Sequence, residues 1–357
     1  MKILRIYKRL PPFQGGMEKH ISELTKYQNI SNEITLYFNS GSYISDRDEK
    51  IFPKFKIIGL KSSFPFVFIF YLGVIAKLLL NKKKFDIIHL HGDWSSFIFA
   101  PILKGLTKAK VICFSMHGSI KLHSYWQQVF LKYSLKSADI VFSTGFENHE
   151  WLKPFCKKAV FQPSGVSDVF FNQINTVSTN EKTFRIVTVG NLFPVKNTKI
   201  IIKIASVLSE MEFIIIGDGP EYRNLKEMTD SLNCRNVIFK GHLSKEQIKD
   251  ELLKSNLFLF SSILEGTPTA VMEAMACGLP IITSNAGKVE SIVNNGINGF
   301  VIQDYDIDKY ISKILELYNN VELCEIMSKN NKEKANQFSW IKVASLITNQ
   351  QLECLNF

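Results

Sequence analysis

Two glutamates in the second half of the chain have the residue type and spacing to bind a ligand. They are Glu265 and Glu273, in the stretch "LEGTPTAVMEAMACGLP" over residues 264–280. The predicted helix around Glu273 is apolar on every side, and such a helix is usually buried. A buried carboxylate is costly unless another group pairs with it. The partner of Glu273 is therefore expected to be either a group elsewhere in the chain or a ligand.

The elements around the two glutamates follow from local signals. The run "LFLFSS" over 257–262 predicts a buried strand. Thr267 suits the N-cap of the next helix and Pro268 its first residue. Gly278 suits the position just past a helix of about ten residues. The N-terminus of this helix offers backbone N–H groups and a positive dipole end to a phosphate or a sugar oxygen.

The chemistry of the two carboxylates allows two interpretations. Glu273 can accept hydrogen bonds from two neighbouring ribose hydroxyls, and Glu265 can do the same for a hexose. Alternatively, Glu265 is an ordinary loop acid and Glu273 pairs with a buried lysine or arginine. The spacing alone leaves both interpretations open.

Composition restricts the class of protein. The chain has 357 residues, which suits two domains, and 46% of them are hydrophobic, as in a globular protein. Its six cysteines form no C-x-x-C pair, which predicts neither zinc nor a disulfide framework and favours a reducing compartment. The formal charge of +10 suits an anionic partner. No nucleic-acid signature is present, so nucleic acid is not an expected partner.

Strand-like and helix-like segments alternate through both halves of the chain, which predicts an α/β protein with parallel sheets. The mostly polar stretch from Pro163 to Thr183 interrupts the alternation, and its second half is interpreted as a linker. We expect a Rossmann-like doubly wound domain over 1–170 and another over 184–335. A last amphipathic helix over 336–357 is expected to pack back on the first domain. Two such domains facing each other would bind ligands in a central cleft.

One longer run, residues 64–76, is apolar throughout. It belongs to "FPFVFIFYLGVIAKLLLNKKKF" over 64–85, and Lys77 ends the apolar part, which is too short to span a bilayer. A core helix is the favoured interpretation. The alternative is a surface helix that dips into a membrane, with lysines 82–84 against anionic headgroups.

A specific resemblance to a known family is carried by "EGTPTAVMEAMACGLPIITSNAGKVESIVNNGINGFVI", over residues 265–302. This segment resembles the signature of the retaining glycosyltransferases of family four, which have the GT-B fold. Weaker matches are "LPPFQGGMEKHI", "FDIIHLHG", "SMHG" and "FSWIKVA". The resemblance implies that Glu273 contacts the nucleotide ribose and Glu265 the donor sugar. It also implies that the backbone of Gly266, Thr267, Pro268 and Thr269 lines the sugar and the diphosphate.

"VGNLFPVKN" resembles the family stretch in which an arginine and a lysine neutralise the diphosphate. Lys196 matches the lysine, whereas Asn191 occupies the arginine position, which weakens the expected donor affinity. A lone lysine is usually a solvated loop residue, but the position of Lys196 after a strand that ends at Gly190 favours the functional interpretation. Gly15 and Gly16 let the backbone approach a ligand and open a helix, although a bare Gly-Gly pair is a weak signal.

Histidines supply the remaining candidates. A lone histidine such as His117 is more often a core residue, but the matching family histidine lies near the donor sugar, so His117 is expected to be catalytic together with Glu265 and Lys196. His89 and His91 are expected to face opposite sides of a strand and to form no metal pair. His20 has no assigned role. The aspartates of "QDYDID" are expected to cap a helix, so no metal site is assigned.

The resemblance implies transfer of a hexose, with retention, from a nucleotide-diphosphate sugar to a hydroxyl of a glycan or lipid-linked acceptor. A UDP-sugar is the favoured donor and GDP-mannose the alternative. No cofactor and no metal requirement is expected, since the nucleotide-sugar is a substrate. The expected setting is surface polysaccharide synthesis in the bacterial cytoplasm, with contact to the inner face of the membrane left open. The competing hypotheses are a GT-B sugar-nucleotide epimerase and a non-catalytic nucleotide-sugar binding protein.

Overall fold

The computed structural model describes residues 1–7, 16–39, 56–60, 67–117, 124–171 and 183–356. Its chain divides into two compact units. The first comprises Met1–Ser164 and Trp340–Phe357, and the second comprises Gly165–Ser339. Each unit is built on a parallel sheet of its own.

The described residues of the first unit form seven parallel strands in the order β3-β2-β1-β4-β5-β6-β7. The strands are β1 (Lys2–Ile6), β2 (Glu33–Asn39), β3 (Lys56–Leu60), β4 (Ile87–Gly92), β5 (Val111–Met116), β6 (Ile140–Ser143) and β7 (Ala159–Phe161). The helices between them are α1 (Gly16–Gln28), α2 (Val67–Asn81), α3 (Trp94–Phe97), α4 (Ala100–Thr107), α5 (Tyr125–Leu135) and α6 (Phe146–Leu152). Sequence analysis did not predict β7, because a three-residue strand shows too little alternation.

The second unit has six parallel strands in the order β10-β9-β8-β11-β12-β13. They are β8 (Arg185–Val189), β9 (Glu212–Ile216), β10 (Val237–Gly241), β11 (Leu257–Phe260), β12 (Ile281–Ser284) and β13 (Gly299–Ile302). Its helices are α7 (Lys199–Val207), α8 (Tyr222–Ser231), α9 (Lys245–Leu253), α10 (Thr269–Ala276), α11 (Ile307–Tyr318) and α12 (Val321–Ala335). All six strands were predicted, since each is a short apolar run bounded by turn residues.

The chain returns to the first unit with its last helix, α13 (Trp340–Asn356). The first domain was expected to extend to residue 170, but the second unit begins at Gly165. Val166 and Phe170 are both buried in the core of the second unit. The linker predicted in the second half of 163–183 falls largely on residues 172–182, outside the described residues.

Helices cover both faces of the first sheet. Ile88 and Leu90 of β4 point into a core that α2, α3, α4 and α5 also line. Ile87 points to the opposite face, into a core that contains Leu24 of α1 and Trp340 of α13. This division follows from the strand geometry, in which successive side chains point to opposite faces.

A buried polar network fastens α13 to the first sheet. The Arg5 guanidinium, on β1, donates to the Thr25 hydroxyl and to the Gln28 side-chain oxygen. The Gln28 amide donates to Thr348 at 2.9 Å and to Gln351 at 3.2 Å, both on α13. Arg5, Thr25, Gln28 and Gln351 are buried, so each of them needs its partner, and removing one leaves the others unsatisfied.

Helix α2 is buried along one side, as the core-helix interpretation requires, and contact with a membrane stays a prediction. Phe70, Tyr71, Val74 and Leu78 form a buried stripe, as a core helix requires. The opposite side of the same helix is exposed, with Leu72 at 59% and Leu80 at 84% of their full accessible area. Residues 64–66 of the predicted segment lie outside the described residues. Among the described residues, no helix has the length and apolarity that a membrane crossing requires.

A close backbone approach joins the loops that follow β8 and β9. Gly217 has a φ of +137°, and a Cβ at this position would lie 1.9 Å from the carbonyl oxygen of Gly190. The amide of Leu192 donates to the carbonyl of Asp218 at 2.9 Å. Only glycine fits this crossing, so Gly217 fixes the path of the loop that carries Asn191.

We expect Gly217→Ala to lower the free energy of unfolding by roughly 2–4 kcal/mol, because it adds both backbone strain and a clash with the Gly190 carbonyl. Gly105→Ala is the matched control. Nothing lies within 4 Å of a Cβ at Gly105 in α4, so this variant should be neutral or more stable by about 0.5–1 kcal/mol. Urea unfolding measures both, and equal stabilities would contradict the close approach.

Candidate functional site

In the second unit, polar side chains gather where β8 and β11 end. Lys196 is the last residue of a short 3-10 helix, Pro194–Lys196, in the loop after β8. The hydroxyl of Ser261, just after β11, donates to the carbonyls of Lys196 at 3.1 Å and Asn197 at 3.2 Å. The neighbouring Ser262 donates to the carbonyl of Val195 at 3.1 Å. Two adjacent strand ends thus hold the lysine loop in place.

The structure brings together two of the predicted catalytic residues. The Lys196 ammonium is in direct contact with a carboxylate oxygen of Glu265, and their side chains are 25% and 11% exposed. The ammonium also lies 5.6 Å from the centre of the Phe260 ring. The Lys196 ammonium thus lies between an apolar ring and one carboxylate, at a partly exposed position.

Lys196 lines a small depression in the surface of the second unit. Gly190, Leu192, Phe260 and Ser261 contribute to its lining. Asn191 follows Gly190 and is exposed. The side chain at the predicted arginine position therefore reaches solvent at the edge of the sheet that carries Lys196.

The loop from Glu265 to Pro268 departs from the predicted capping pattern. Helix α10 begins at Thr269, and its cap residue is Pro268, with φ −76° and ψ 83°. The amide of Thr269 donates to the carbonyl of Thr267 at 2.9 Å, a tight turn around the proline. The predictions that Thr267 is the N-cap and Pro268 the first helical residue are therefore wrong. Gly266 and Thr269 are exposed, as residues that line a ligand would be.

The loop from Glu265 to Pro268 packs closely against a glycine, Gly287. Gly287, in the 3-10 helix Ala286–Ser291, has a φ of +64°. A Cβ there would lie 2.6 Å from the backbone oxygen of Glu265. Sequence analysis missed Gly287 and Gly217, since a glycine needed for a distant backbone looks like any turn glycine.

Helix α10 is buried on all sides from Val271 to Ala276, as its sequence predicts. Glu273 is 8% exposed among fully or nearly fully buried apolar neighbours. Its carboxylate is not without a partner inside the chain. Burial, and then the charge of Glu273, raises the pKa of the Cys277 thiol to about 12. The position is therefore one where a carboxylate is costly, and both the ribose and the internal-partner interpretations remain compatible with it.

The predicted end of α10 is confirmed. Gly278 has a φ of +81°, which a residue with a side chain adopts only under strain. Its amide donates to Met275 at 2.9 Å, and that of Leu279 donates to Ala274 at 3.1 Å. These two bonds form a Schellman motif, which satisfies the last carbonyls of the helix. The capping role of "QDYDID" is also confirmed, since Asp306 caps α11 by accepting from the amide of Asp308 at 3.0 Å.

In the first unit, three buried histidines meet at the carboxyl ends of β4 and β5. His117 directly follows β5, and its Nε2 lies 3.3 Å from Nδ1 of His91. The ring of His20, on α1, is 4.7 Å from the ring of His117, measured between centres. His20 Nδ1 is 2.9 Å from the Ser164 hydroxyl. His117 is therefore one member of a cluster rather than a lone histidine.

The prediction that His89 and His91 face opposite sides of the strand is wrong. Their rings stack with centres 4.2 Å apart. Residues two apart on a strand share one face, and only adjacent residues alternate. Sequence analysis therefore missed His91 and His20 as neighbours of His117, although the His-x-His spacing and a helical histidine were the available signals.

The hydrogen-bond partners of His89 determine which of its ring nitrogens carries the proton. Its Nδ1 faces the Gln351 amide at 3.3 Å and the Arg5 guanidinium at 3.4 Å, and both of these groups only donate. Nδ1 must therefore accept, and Nε2 carries the proton toward the Ser115 hydroxyl at 2.8 Å. His89 is thus fixed in its neutral form.

Burial keeps the whole cluster neutral. It lowers the pKa of His117 to about 4. For His20, His89 and His91, burial is again the largest cause of a pKa far below the ordinary value, and the positive charge of Arg5 adds to it. His117 is accordingly a neutral hydrogen-bonding group at physiological pH and not an acid.

The cluster is also the group of described residues whose geometry approaches that of a metal site. One ligand atom from each of His20, His91 and His117 lies within 4.8 Å of the others. However, the buried Arg5 guanidinium bonds into the same polar network, and a divalent cation beside it would be repelled. No metal is assigned, and its absence from the reaction stays a prediction.

Of the two glycines predicted to approach a ligand at the start of α1, the structure describes only the second. Gly15 lies outside the described residues, whereas Gly16 is the first residue of α1. Two residues later, Glu18 is buried and accepts a hydrogen bond from the Tyr7 hydroxyl at 3.2 Å. Sequence analysis assigned no role to this buried carboxylate.

Two family models match the chain. Residues 170–334 match the model described as "Glycosyl transferases group 1". Residues 14–155 match the model described as "Glycosyltransferase Family 4". Together the two matched ranges cover well over half of the chain.

Several characterised proteins are similar to this chain. The "Phosphatidylinositol N-acetylglucosaminyltransferase GPI3 subunit" of Saccharomyces cerevisiae (strain YJM789) is 27% identical over 360 residues, covering 93% of this chain and 78% of the relative. The "UDP-Gal:alpha-D-GlcNAc-diphosphoundecaprenol alpha-1,3-galactosyltransferase" of Escherichia coli is 28% identical over 298 residues, covering 74% of each. The crystal structure of Anabaena HepE in complex with UDP matches with a TM-score of 0.82 at 16% identity, covering 99% of this chain and 100% of that one.

The fold and the family matches define a glycosyltransferase with the GT-B fold, as predicted. The chain belongs to the group 1 glycosyltransferases, of the family 4 type.

The buried histidines should make folding stability depend on pH. Their folded pKa lies below the ordinary value of 6.5, so the unfolded chain binds protons first. The stabilisation is complete above that value and is lost as the pH falls from 6.5 toward about 4. Each such histidine should contribute about 1.4 kcal/mol per pH unit in this window.

Urea unfolding followed across this window checks the expectation. His91→Gln removes one of the titrating groups and should make the dependence shallower by about one proton. His242→Gln, at an exposed position, should leave it unchanged. Equal slopes for the wild type and the His91 variant would show that the cluster does not stay neutral on folding.

Proposed function

We propose that this glycosyltransferase moves a hexose from a nucleotide-diphosphate sugar to a hydroxyl of a glycan or lipid-linked acceptor, with retention at the anomeric carbon. The proposed setting is bacterial surface polysaccharide synthesis. The observation that supports this assignment most is the contact between Lys196 and Glu265, beside the loop that leads into α10. The family resemblance implies that Lys196 binds the diphosphate and that Glu265 binds the donor sugar.

The proposed reaction breaks the bond between the anomeric carbon and the diphosphate oxygen. The acceptor oxygen forms its bond on the same face of the sugar, and its proton passes to the departing phosphate oxygen. Lys196 would offset the charge that develops on this leaving group, and such fixed charges contribute strongly to catalysis. Glu265 would orient the sugar hydroxyls, which is a positioning effect.

The remaining residues are assigned binding roles. Glu273 would hold the ribose, and the backbone of residues 266–269, following Glu265, would line the sugar and diphosphate. We assign His117 to hydrogen bonding with the donor sugar, a role that its neutral form allows. Gly15, Gly16 and Asn191 are proposed to approach the diphosphate. With Asn191 in place of arginine, Lys196 would carry more of the charge neutralisation.

A UDP-sugar is the preferred donor in this proposal. The name of the E. coli relative specifies a UDP-galactose donor, and the HepE structure holds UDP. GDP-mannose is the alternative, because the chemistry of Lys196, Glu265 and Glu273 concerns the diphosphate, the sugar and the ribose and does not identify the base.

A lipid-linked acceptor is supported by both relatives. The name of the S. cerevisiae relative includes phosphatidylinositol. The name of the E. coli relative includes a GlcNAc group linked to diphosphoundecaprenol. In both names the sugar is added to a molecule with a lipid anchor and a phosphate. We therefore propose that this chain works at the inner face of the cell membrane.

The donor is identified by thermal unfolding of the full chain with UDP, GDP, ADP, CMP and their common sugar conjugates. A nucleotide present at a hundred times its dissociation constant should stabilise the folded chain by about 2.7 kcal/mol. We expect the largest stabilisation with UDP or a UDP-sugar, and its loss in Glu273→Gln, which preserves the shape of the buried side chain. A stabilisation that persists in this variant would favour the internal-partner interpretation of Glu273.

The role of Glu265 predicts a split between binding and transfer. Glu265→Gln should lower the rate of transfer at least about a hundredfold. It should leave the affinity for the free nucleotide largely intact, because the glutamate is assigned to the sugar. Glu227→Gln is the control, since Glu227 is exposed on α8 in an ion pair with Arg223 at 3.0 Å.

The same assays separate the competing hypotheses. Conversion of the donor sugar in the absence of any acceptor would favour the epimerase. Binding of the donor without turnover, in the presence of lipid-linked acceptors, would favour the non-catalytic binding protein. Equal loss of nucleotide binding and transfer in Glu265→Gln would contradict the proposed division of roles.

A further inference from the structure

His117 is the member of the histidine cluster that a ligand could reach. It retains 8% of its accessible area, whereas His91 is fully buried and His20 is 2% exposed. It also directly follows β5, at the edge of a parallel sheet where ligands bind. What His117 offers a ligand depends on which ring nitrogen carries the proton, because a neutral imidazole has one donor and one acceptor.

His91 occupies one of the two ring nitrogens of His117. Its Nδ1 lies 3.3 Å from Nε2 of His117, so one of these nitrogens donates and the other accepts. The ring centres are 5.6 Å apart and the ring planes differ by 18°. The two nitrogens therefore lie between the ring centres and close to both planes, as an N–H···N hydrogen bond requires.

The buried surroundings decide the direction of this bond. Among the described residues, Nε2 of His91 has no hydrogen-bond partner. A buried N–H without a partner is rarer and more costly than a buried acceptor without one. Burial lowers the pKa of both rings far below the ordinary value, so each carries one proton. The proton of His91 therefore lies on Nδ1 and points at Nε2 of His117, which leaves the proton of His117 on its Nδ1.

His20 does not compete for Nε2 of His117. Its Nδ1 is 2.9 Å from the Ser164 hydroxyl, and its Nε2 has no partner in the described part of the chain. By the same reasoning, the proton of His20 lies on Nδ1 and is directed at Ser164. The ring of His20 meets that of His117 at 71°, so it supports the position of the ring without bonding to it.

His91 is itself held in place by its neighbours. Its ring stacks on His89 with centres 4.2 Å apart. His89 is fixed in turn by Ser115 at 2.8 Å and by Gln351 of α13 at 3.3 Å. A group that orients a ligand needs rigid support of this kind behind it.

We propose that His91 is a positioning residue, which fixes His117 with its proton on Nδ1 and so makes His117 a hydrogen-bond donor to an oxygen of the donor sugar. A free histidine side chain carries its proton mainly on Nε2, so the Nδ1–H form needs an outside cause, and the hydrogen bond at the other nitrogen supplies it. The Nδ1–H points away from His91. The sugar atom that meets it must accept a hydrogen bond, which suits an oxygen and excludes an N–H.

The contact with a sugar rests on the proposed function, whereas the position of the proton does not. The proton is located on the full chain labelled with ¹⁵N-histidine. Two-bond ¹H–¹⁵N correlations distinguish the Nδ1–H, Nε2–H and doubly protonated forms of each ring, and His117→Gln identifies the signals of His117. We expect the Nδ1–H form for both His117 and His91 at neutral pH. Wild-type His117 in the Nε2–H form would overturn the proposal.

Two variants of His91 test whether it sets this form. His91→Leu removes the donor and keeps a buried side chain of similar size, so the proton of His117 should move to Nε2. His91→Asn keeps an amide N–H close to the position of Nδ1 and should preserve the Nδ1–H form. His149→Gln is the control, because His149 is a buried histidine of the same unit whose ring lies beside Phe161, with centres 6.1 Å apart. His117 that keeps its proton on Nδ1 in His91→Leu would overturn the role of His91.

The effect on transfer is measured with the donor that thermal unfolding identifies. His91→Leu should lower kcat about tenfold, as expected for one misdirected hydrogen bond, and leave the affinity for the free nucleotide unchanged. His91→Asn should retain most of the wild-type kcat. Equal losses in both variants, with the Nδ1–H form kept only in His91→Asn, would overturn the link between this proton and the sugar. A wild-type chain with the Nδ1–H form that transfers no sugar would contradict the proposed function and support the assignment of the proton.

Discussion

All strands run parallel in both sheets, and this constraint decides where polar chemistry gathers. The chain must return through a helix after each strand, so the loops after neighbouring strands meet at one edge. In the second unit β8 and β11 are neighbours, which brings the Lys196 loop onto Ser261. In the first unit β4 and β5 are neighbours, which brings His91 to His117. Neither pairing is local in sequence, and both follow from strand order.

The two units treat their polar groups differently. In the first unit, the histidines are buried and neutral. Arg5 and Gln351 face Nδ1 of His89 and so place the ring proton on Nε2. In the second, Lys196 and Glu265 form an ion pair whose side chains are 25% and 11% exposed. The first unit therefore carries neutral hydrogen-bonding groups in fixed positions, and the second carries a pair of opposite charges close to solvent.

Much of the architecture could be predicted from the sequence, because short apolar runs bounded by turn residues define strands locally. Burial of Glu273 and the helix end at Gly278 were predictable for the same reason. The cap at Thr267 was not, because Pro268 closes a tight turn that delays the helix by one residue. The requirement for glycine at positions 217 and 287 was not predictable either. At each position it comes from a backbone carbonyl that is distant in sequence, that of Gly190 or of Glu265. The error on His89 and His91 had another origin, in counting their two-residue spacing as an alternation.

The two-residue period of a strand also explains how one sheet serves two purposes. Along β4, Ile88 and Leu90 point into the core that helices α2 to α5 line, while His89 and His91 point to the side of α1 and α13. A slip of one residue in the register of β4 would exchange the two sets and bury the histidines under the apolar layer. The bonds of His89 to Ser115 and Gln351 oppose that slip, because each would be left unsatisfied in the wrong register. The polar network thus fixes the strand register on which the apolar core under helices α2 to α5 depends.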